Sequence, residues 1–271
     1  FWIEQEKHKR SGRNRTSAVN PEPPLLIIAP LANTLDLTQV PWCDAAKDKI
    51  SVNHDKFQNL EMAEVIVDAM PFLLTRLSAT ETSQIFNSGK CDQLLCALPP
   101  ATHSAIGVAP GDNLASARHL SEINRRLLLL GQWIGESLGA TTAAWMPSRR
   151  LTSFAWFDQA VRRYLADGRI PFLFQTSVAE VGSGCFVTSG LHYFAGQELR
   201  LTTAEGYDLA AATRHLVQII YNMIAYGKII SPARSVGSHQ NEALIFTPSE
   251  DLGHVDVRIS NDAHDADLAK I

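Results

Sequence analysis

The chain has 271 residues, 45% of them hydrophobic and 19% charged, a balance that excludes a disordered chain and allows one large core or two smaller ones. The formal charge of −4 hides an asymmetry: residues 1–15 carry Lys7, Lys9, Arg10, Arg13 and Arg15 against Glu4 and Glu6, leaving 19 basic and 26 acidic residues in the rest. An acidic body excludes sequence-specific nucleic acid as the expected partner, because phosphate recognition needs a basic face on the fold itself.

The four cysteines, Cys43, Cys91, Cys96 and Cys185, are too sparse for a disulfide scaffold, so reduced thiols and a cytoplasmic location are expected. No stretch reaches the roughly 18–20 apolar residues of a spanning helix. Residues 1–24 read as a flexible basic arm ending in Pro21-Glu22-Pro23-Pro24, which favours extended geometry. Membrane contact is expected only through this arm. Phe1-Trp2-Ile3 before a basic run also admits a tethered protein whose anchor precedes Phe1.

In chain order, Leu25–Ala29 reads as a buried strand closed by Pro30. A helix around Cys43–Lys49 is a weak expectation. Residues 61–77 read as extended, with Pro71 interrupting the run or placing it at a sheet edge. A helix is predicted over 80–97, stopped by Pro99-Pro100, then a strand over His103–Ala109. From Leu114 to Leu138, Leu120, Ile123, Leu127, Leu130 and Ile134 recur at spacings of three and four, one face of a helix. Asp112 or Asn113 is placed to cap its start and Gly139 to close it.

A strand Ala140–Trp145 follows, then a helix Ser153–Ala166 with Phe154, Phe157, Val161 and Leu165 on one face. Strands are predicted at Ile170–Gln175, Cys185–Thr188 and Glu198–Thr203, with Gly182-Ser183-Gly184 as a hairpin turn. A third helix covers Tyr207–Tyr226. Strands at Ala243–Phe246 and Val255–Ile259 precede an acidic tail at 261–271. Strands after residue 170 lack intervening helices, which predicts an α+β fold: a mixed or antiparallel sheet or sheets with helices packed on one face. Two related lobes are expected, at 25–139 and 140–260.

The segment Thr188-Ser189-Gly190-Leu191-His192-Tyr193-Phe194-Ala195-Gly196-Gln197-Glu198, followed by a helix and then Ser235-Val236-Gly237, resembles the bacterial family catalogued as domain of unknown function 4261. There Gly-Leu, Phe, Gly and Glu recur at this spacing. The resemblance lies mainly over residues 140–240; residues 25–110 match loosely, and the family's late turn is richer in Gly and Asp than Ser235-Val236-Gly237. It implies a fold and carries no activity.

The same segment is the best candidate site. Thr188, His192 and Glu198 are the expected binding residues, and a carboxylate within reach of an imidazole can form an acid–base pair. The bland alternative has Gly190, Gly196 and Gly237 shaping turns while Glu198 satisfies backbone amides. Cys91 and Cys96 lack zinc-ligand spacing, so no metal and no cofactor are expected. His254, Asp256, Asp262, His264, Asp265 and Asp267 read as a solvated end. Trp156 falls off the apolar stripe of its helix and is a candidate partner-binding aromatic.

With no motif for a nucleophile elbow, phosphate loop or zinc peptidase, no catalytic residue is assigned. The expectation is a protein of unknown function that acts as a non-catalytic binding or interaction module with a protein partner. The resemblance sets it as an accessory or immunity-type factor in bacteria. The alternative is a hydrolase or transferase with a site near His192 and Glu198.

Overall fold

The computed structural model describes residues 22–30, 35–44, 46, 49–53, 61–89, 91–203, 209–236 and 243–260. Residues 1–21 of the basic arm, the tail 261–271 and Gly237 lie outside them. The run Leu25-Leu26-Ile27-Ile28-Ala29 forms β1 (Leu25–Ala29), and all five residues are fully buried. An unbroken apolar strand needs cover on both faces.

β1 has that cover, inside an eight-stranded sheet. The order is β2 (Ile50–Asn53), β3 (Met62–Val67), β4 (Met70–Leu77), β6 (Ser104–Pro110), β1, β7 (Thr142–Trp145), β8 (Arg150–Ser153) and β5 (Asp92–Leu94). Only β5 and β8 pair in parallel.

Alternation along β1 separates two cores. Leu25 and Ile27 join Leu127, Trp133, Ile134 and Phe157 from α2 (Ser121–Leu138) and α3 (Phe154–Asp167). Leu26 and Ile28 instead meet Phe86 of α1 (Ala79–Asn87) on the opposite face. This sheet therefore carries helices on both faces, beyond the single covered face expected from the sequence. Close approach of α2 depends on two glycines one turn apart: a Cβ on Gly131 would stand 2.4 Å from Leu25, and one on Gly135 would stand 1.9 Å from the Phe154 ring.

A second, six-stranded sheet runs β12 (Ala233–Val236), β13 (Ala243–Pro248), β14 (His254–Ser260), β11 (Glu198–Thr202), β10 (Cys185–Ser189) and β9 (Ser177–Gly182). β11 and β14 are parallel and the other pairs antiparallel. α6 (Leu209–Tyr226) buries Ala212, Leu216, Ile219 and Met223 against Leu199, Leu201, Val255 and Val257. The mixed sheets and their helices make the protein α+β.

Several elements depart from the sequence reading. The helix expected over 80–97 ends at Asn87, and Asp92–Leu94 instead adds an edge strand to β8. Asp112 and Asn113 do not cap α2. They open a 3-10 turn at Asp112–Ala117, and α2 starts at Ser121 with Leu120 as its N-cap and half-exposed. Ile170–Gln175 is not a strand, because Pro171 cannot donate to a ladder; it precedes the single turn α4 (Phe172–Gln175). Pro71 sits inside β4 without breaking it, since pairing with β6 starts only at Phe72. Residues 43–49 form turns where they are described. The boundary expected at 139/140 falls inside the first sheet, because β7 pairs back onto β1 and β8 onto β7; the sheets divide between β8 and β9. Among the described residues no helix is long and apolar enough to cross a membrane.

Candidate functional site

Glu198 opens β11, and its carboxylate turns back into the loop that leads to the single-turn helix α5 (His192–Ala195). Oε1 accepts hydrogen bonds from the amides of Gly190 at 2.8 Å and His192 at 3.1 Å, and lies 2.8 Å from His192 Nδ1. Oε2 accepts from the Thr188 hydroxyl at 2.6 Å and from the Leu191 amide at 3.3 Å. Thr188 Oγ1 in turn accepts from the Leu199 amide at 2.8 Å. The three residues singled out in the sequence are thus one network.

Burial alone would raise the Glu198 carboxyl. The hydrogen bonds from the His192 ring, the Thr188 hydroxyl and the His192 amide outweigh it and hold the group below its ordinary value of 4.5. A carboxylate that receives this many donors is stabilised in its charged form. Its lone pairs are occupied by the loop, so Glu198 shapes the loop and orients His192.

The glycines answer to geometry. Gly190 has φ +96° and faces Ser148 and Gln175 so closely that no Cβ fits; Gly196 has φ +66° and ends α5. Both values lie where side chains are disfavoured.

The loop sits at the seam of the two cores. Leu191 and Ala195 belong to the second core, while Tyr193 and Phe194 enter the first. There Tyr193 meets Trp145 edge-on at 5.0 Å and Phe194 stacks on the same ring at 5.9 Å. Trp145 is fully buried, and its Nε1 has no hydrogen-bond partner among the described residues.

His192 and Tyr193 also wall a cavity of about 240 Å³, completed by Arg118 and by Glu22, Pro24, Met146 and Pro147 among others. The Arg118 guanidinium lies 5.0 Å over the Tyr193 ring, a cation–π arrangement, and has no carboxylate partner among the described residues. Burial pushes the Tyr193 phenol up, so the ring is neutral under Arg118. With Nδ1 on Glu198, His192 Nε2 is left without a partner among the described residues. Among the described residues no Ser, Thr, Cys or Lys lines the cavity. Besides the Tyr193 phenol, its polar lining is one guanidinium, Arg118, one imidazole, His192, and one carboxylate, Glu22.

Sequence reasoning missed Arg118, Tyr193 and Glu22 as site residues. They come from three distant segments, and nothing local in the sequence marks Arg118. Trp156 lines a separate cleft of about 220 Å³ with Phe172, Tyr221 and Arg163. Cys91 and Cys96 flank β5 as free thiols, and among the described residues no group of three His, Cys, Asp or Glu is placed to hold a metal ion. No protein-family model, curated protein or solved structure matches the chain.

Proposed function

We propose that the chain is a binding module whose site is the cavity between Arg118, His192 and Tyr193. It takes an anionic group, a carboxylate or phosphate, borne by a protein partner or a small ligand. The observation that carries this reading is Arg118: a guanidinium over a buried tyrosine, without an ion-pair partner among the described residues, at the wall of a largely apolar cavity. Arginine presents a planar fork that matches carboxylate and phosphate oxygens. Glu198 supports the site from behind by holding the loop. The resemblance of the Thr188–Glu198 segment favours an accessory or immunity-type role in the bacterial cytoplasm.

Saturation-transfer NMR with a panel of small carboxylates and phosphate esters tests the reading. Binders are expected that lose at least tenfold in affinity in Arg118→Ala. A panel without binders, or affinities unmoved by that change, would overturn it.

A second reading rests on the 2.8 Å contact between His192 Nδ1 and Glu198. It orients the imidazole as a general base toward water or an acceptor, as a hydrolase or transferase would require. Turnover of an ester or phosphoester that disappears in His192→Ala would support it, and a panel hydrolysed equally by both proteins would sink it.

A further inference from the structure

The cavity at Arg118 has a neighbour. Glu22, Ala109, Pro110 and Ala115 also wall a second cavity of about 510 Å³, on the face of the first sheet that carries α1. α1 covers that face only in part. On β4, Phe72 and Leu74 point into the α2 core and are fully buried, whereas Leu73, Thr75 and Leu77 point the other way and are only half-buried. Gly107 lies opposite Thr75 and leaves room for Pro23 to rest on the sheet: a Cβ there would stand 2.5 Å from the proline ring. The floor of this second cavity is therefore an apolar sheet surface beside α1 that no helix among the described residues covers.

The two cavities differ in charge: Arg118 stands at the first, Glu81 and Asp112 at the second, with Glu22 common to both. Glu81 is committed as an anion, because its carboxylate accepts from the amide and hydroxyl of Ser78 in a capping box at the start of α1. A compact anion would use only the first cavity. A ligand that fills both must be long, apolar in its middle and charged with one polarity, which describes an extended peptide better than a metabolite. Pockets for alternate side chains give an extended peptide its specificity, and complementary charges fix its direction.

We infer that the two cavities together receive an extended segment of a protein partner. An acidic side chain or terminal carboxylate sits at Arg118, apolar side chains lie on Leu73, Leu77 and Ile85, and a basic side chain lies near Glu81 and Asp112. The inference rests on the Arg118 cavity being a binding site.

A phage-displayed library of random dodecapeptides, selected against the full chain, is the probe. Enriched sequences should carry an acidic and a basic residue separated by apolar ones. Synthetic versions should lose at least tenfold in affinity in Arg118→Glu and in Asp112→Lys, two exposed positions. Because either change could act through folding, the double variant supplies the control: it should bind the charge-reversed peptide and reject the original. No enrichment, enrichment without charge polarity, or a double variant that fails to reverse the preference would overturn the inference. Small carboxylates that bind at Arg118 while no peptide is enriched would leave the anion site standing and remove the peptide. If neither binds, both readings fall.

Discussion

Gly190 lies against Ser148 with no space for a side chain: a Cβ on Gly190 would stand 2.7 Å from the Ser148 Cβ and 2.6 Å from the carbonyl oxygen of Gln175. Ser148 belongs to the turn between β7 and β8, and Gln175 to α4. The loop that presents His192 is therefore clamped onto the layer of the first sheet, although the strands on either side of it belong to the second. Gly190→Ala combines a left-handed residue with a steric clash. It is expected to cost about 2–4 kcal/mol, read as a lowered urea midpoint. An unchanged midpoint would show that the loop yields freely.

Glu198→Gln keeps the shape and removes the charge, so one amide nitrogen must face donors. A loss of about 2–3 kcal/mol at neutral pH is expected. The pH dependence has a definite sign. The folded carboxyl titrates below its ordinary value of 4.5, so its contribution is full above that value and disappears as pH falls through the folded value. Urea unfolding between pH 3 and 7 should show a flatter acid limb in Glu198→Gln than in the wild type. Parallel acid limbs would place the acid sensitivity elsewhere, at the exposed Glu81 or Asp251, whose carboxyls hydrogen bonds also hold below their ordinary values.

The Phe154 ring occupies the space a side chain at Gly135 would need. Gly135→Ala should lower stability by about 1–3 kcal/mol through overpacking. Phe154→Leu in the same chain should restore part of that loss, giving a coupling of at least about 0.5 kcal/mol in a double-mutant cycle. Strict additivity would mean that α2 and α3 relax apart.

Arg150 is a buried cation that ties three segments together. Its guanidinium bonds Asp92 on β5 and the carbonyls of Leu173 and Thr176 around α4. Arg150→Met removes the cation and leaves the Leu173 and Thr176 carbonyls without it, while Asp92 is exposed enough to be solvated, at a cost of about 1–3 kcal/mol. Loss of the edge strand should accompany it, seen as faster amide exchange at Asp92–Leu94 than at β1. Equal protection at β5 in both proteins would show that the strand stands without the arginine.

The long amphipathic helices and the two-faced strand β1 were legible because burial imposes a period or an unbroken apolar run on the residues themselves. The ends of α2, by contrast, were half right. Gly139 closes the helix with φ +60° as a left-handed glycine should, but Asp112 serves a 3-10 turn instead, since capping depends on where the chain enters and polarity alone cannot say. β5, β8 and β12 left little signal: they are three or four residues long, and pairing partners far away in sequence decide that they are strands.

The same division holds for the candidate site. Thr188, Gly190, His192 and Glu198 lie within eleven residues, so a loop that folds back on its own strand brings them together, and local sequence was enough to single them out. Whether Glu198 acts on a ligand or on its own loop was left open by the sequence. Tertiary structure decided it by placing three backbone amides around the carboxylate. Arg118, Tyr193 and Glu22 meet only because α5 inserts into the first core and the chain entering β1 passes beside it. Periodicity and loop chemistry are local quantities and are written along the chain; a cavity is made by segments a hundred residues apart, and its charge exists only once packing has brought them together.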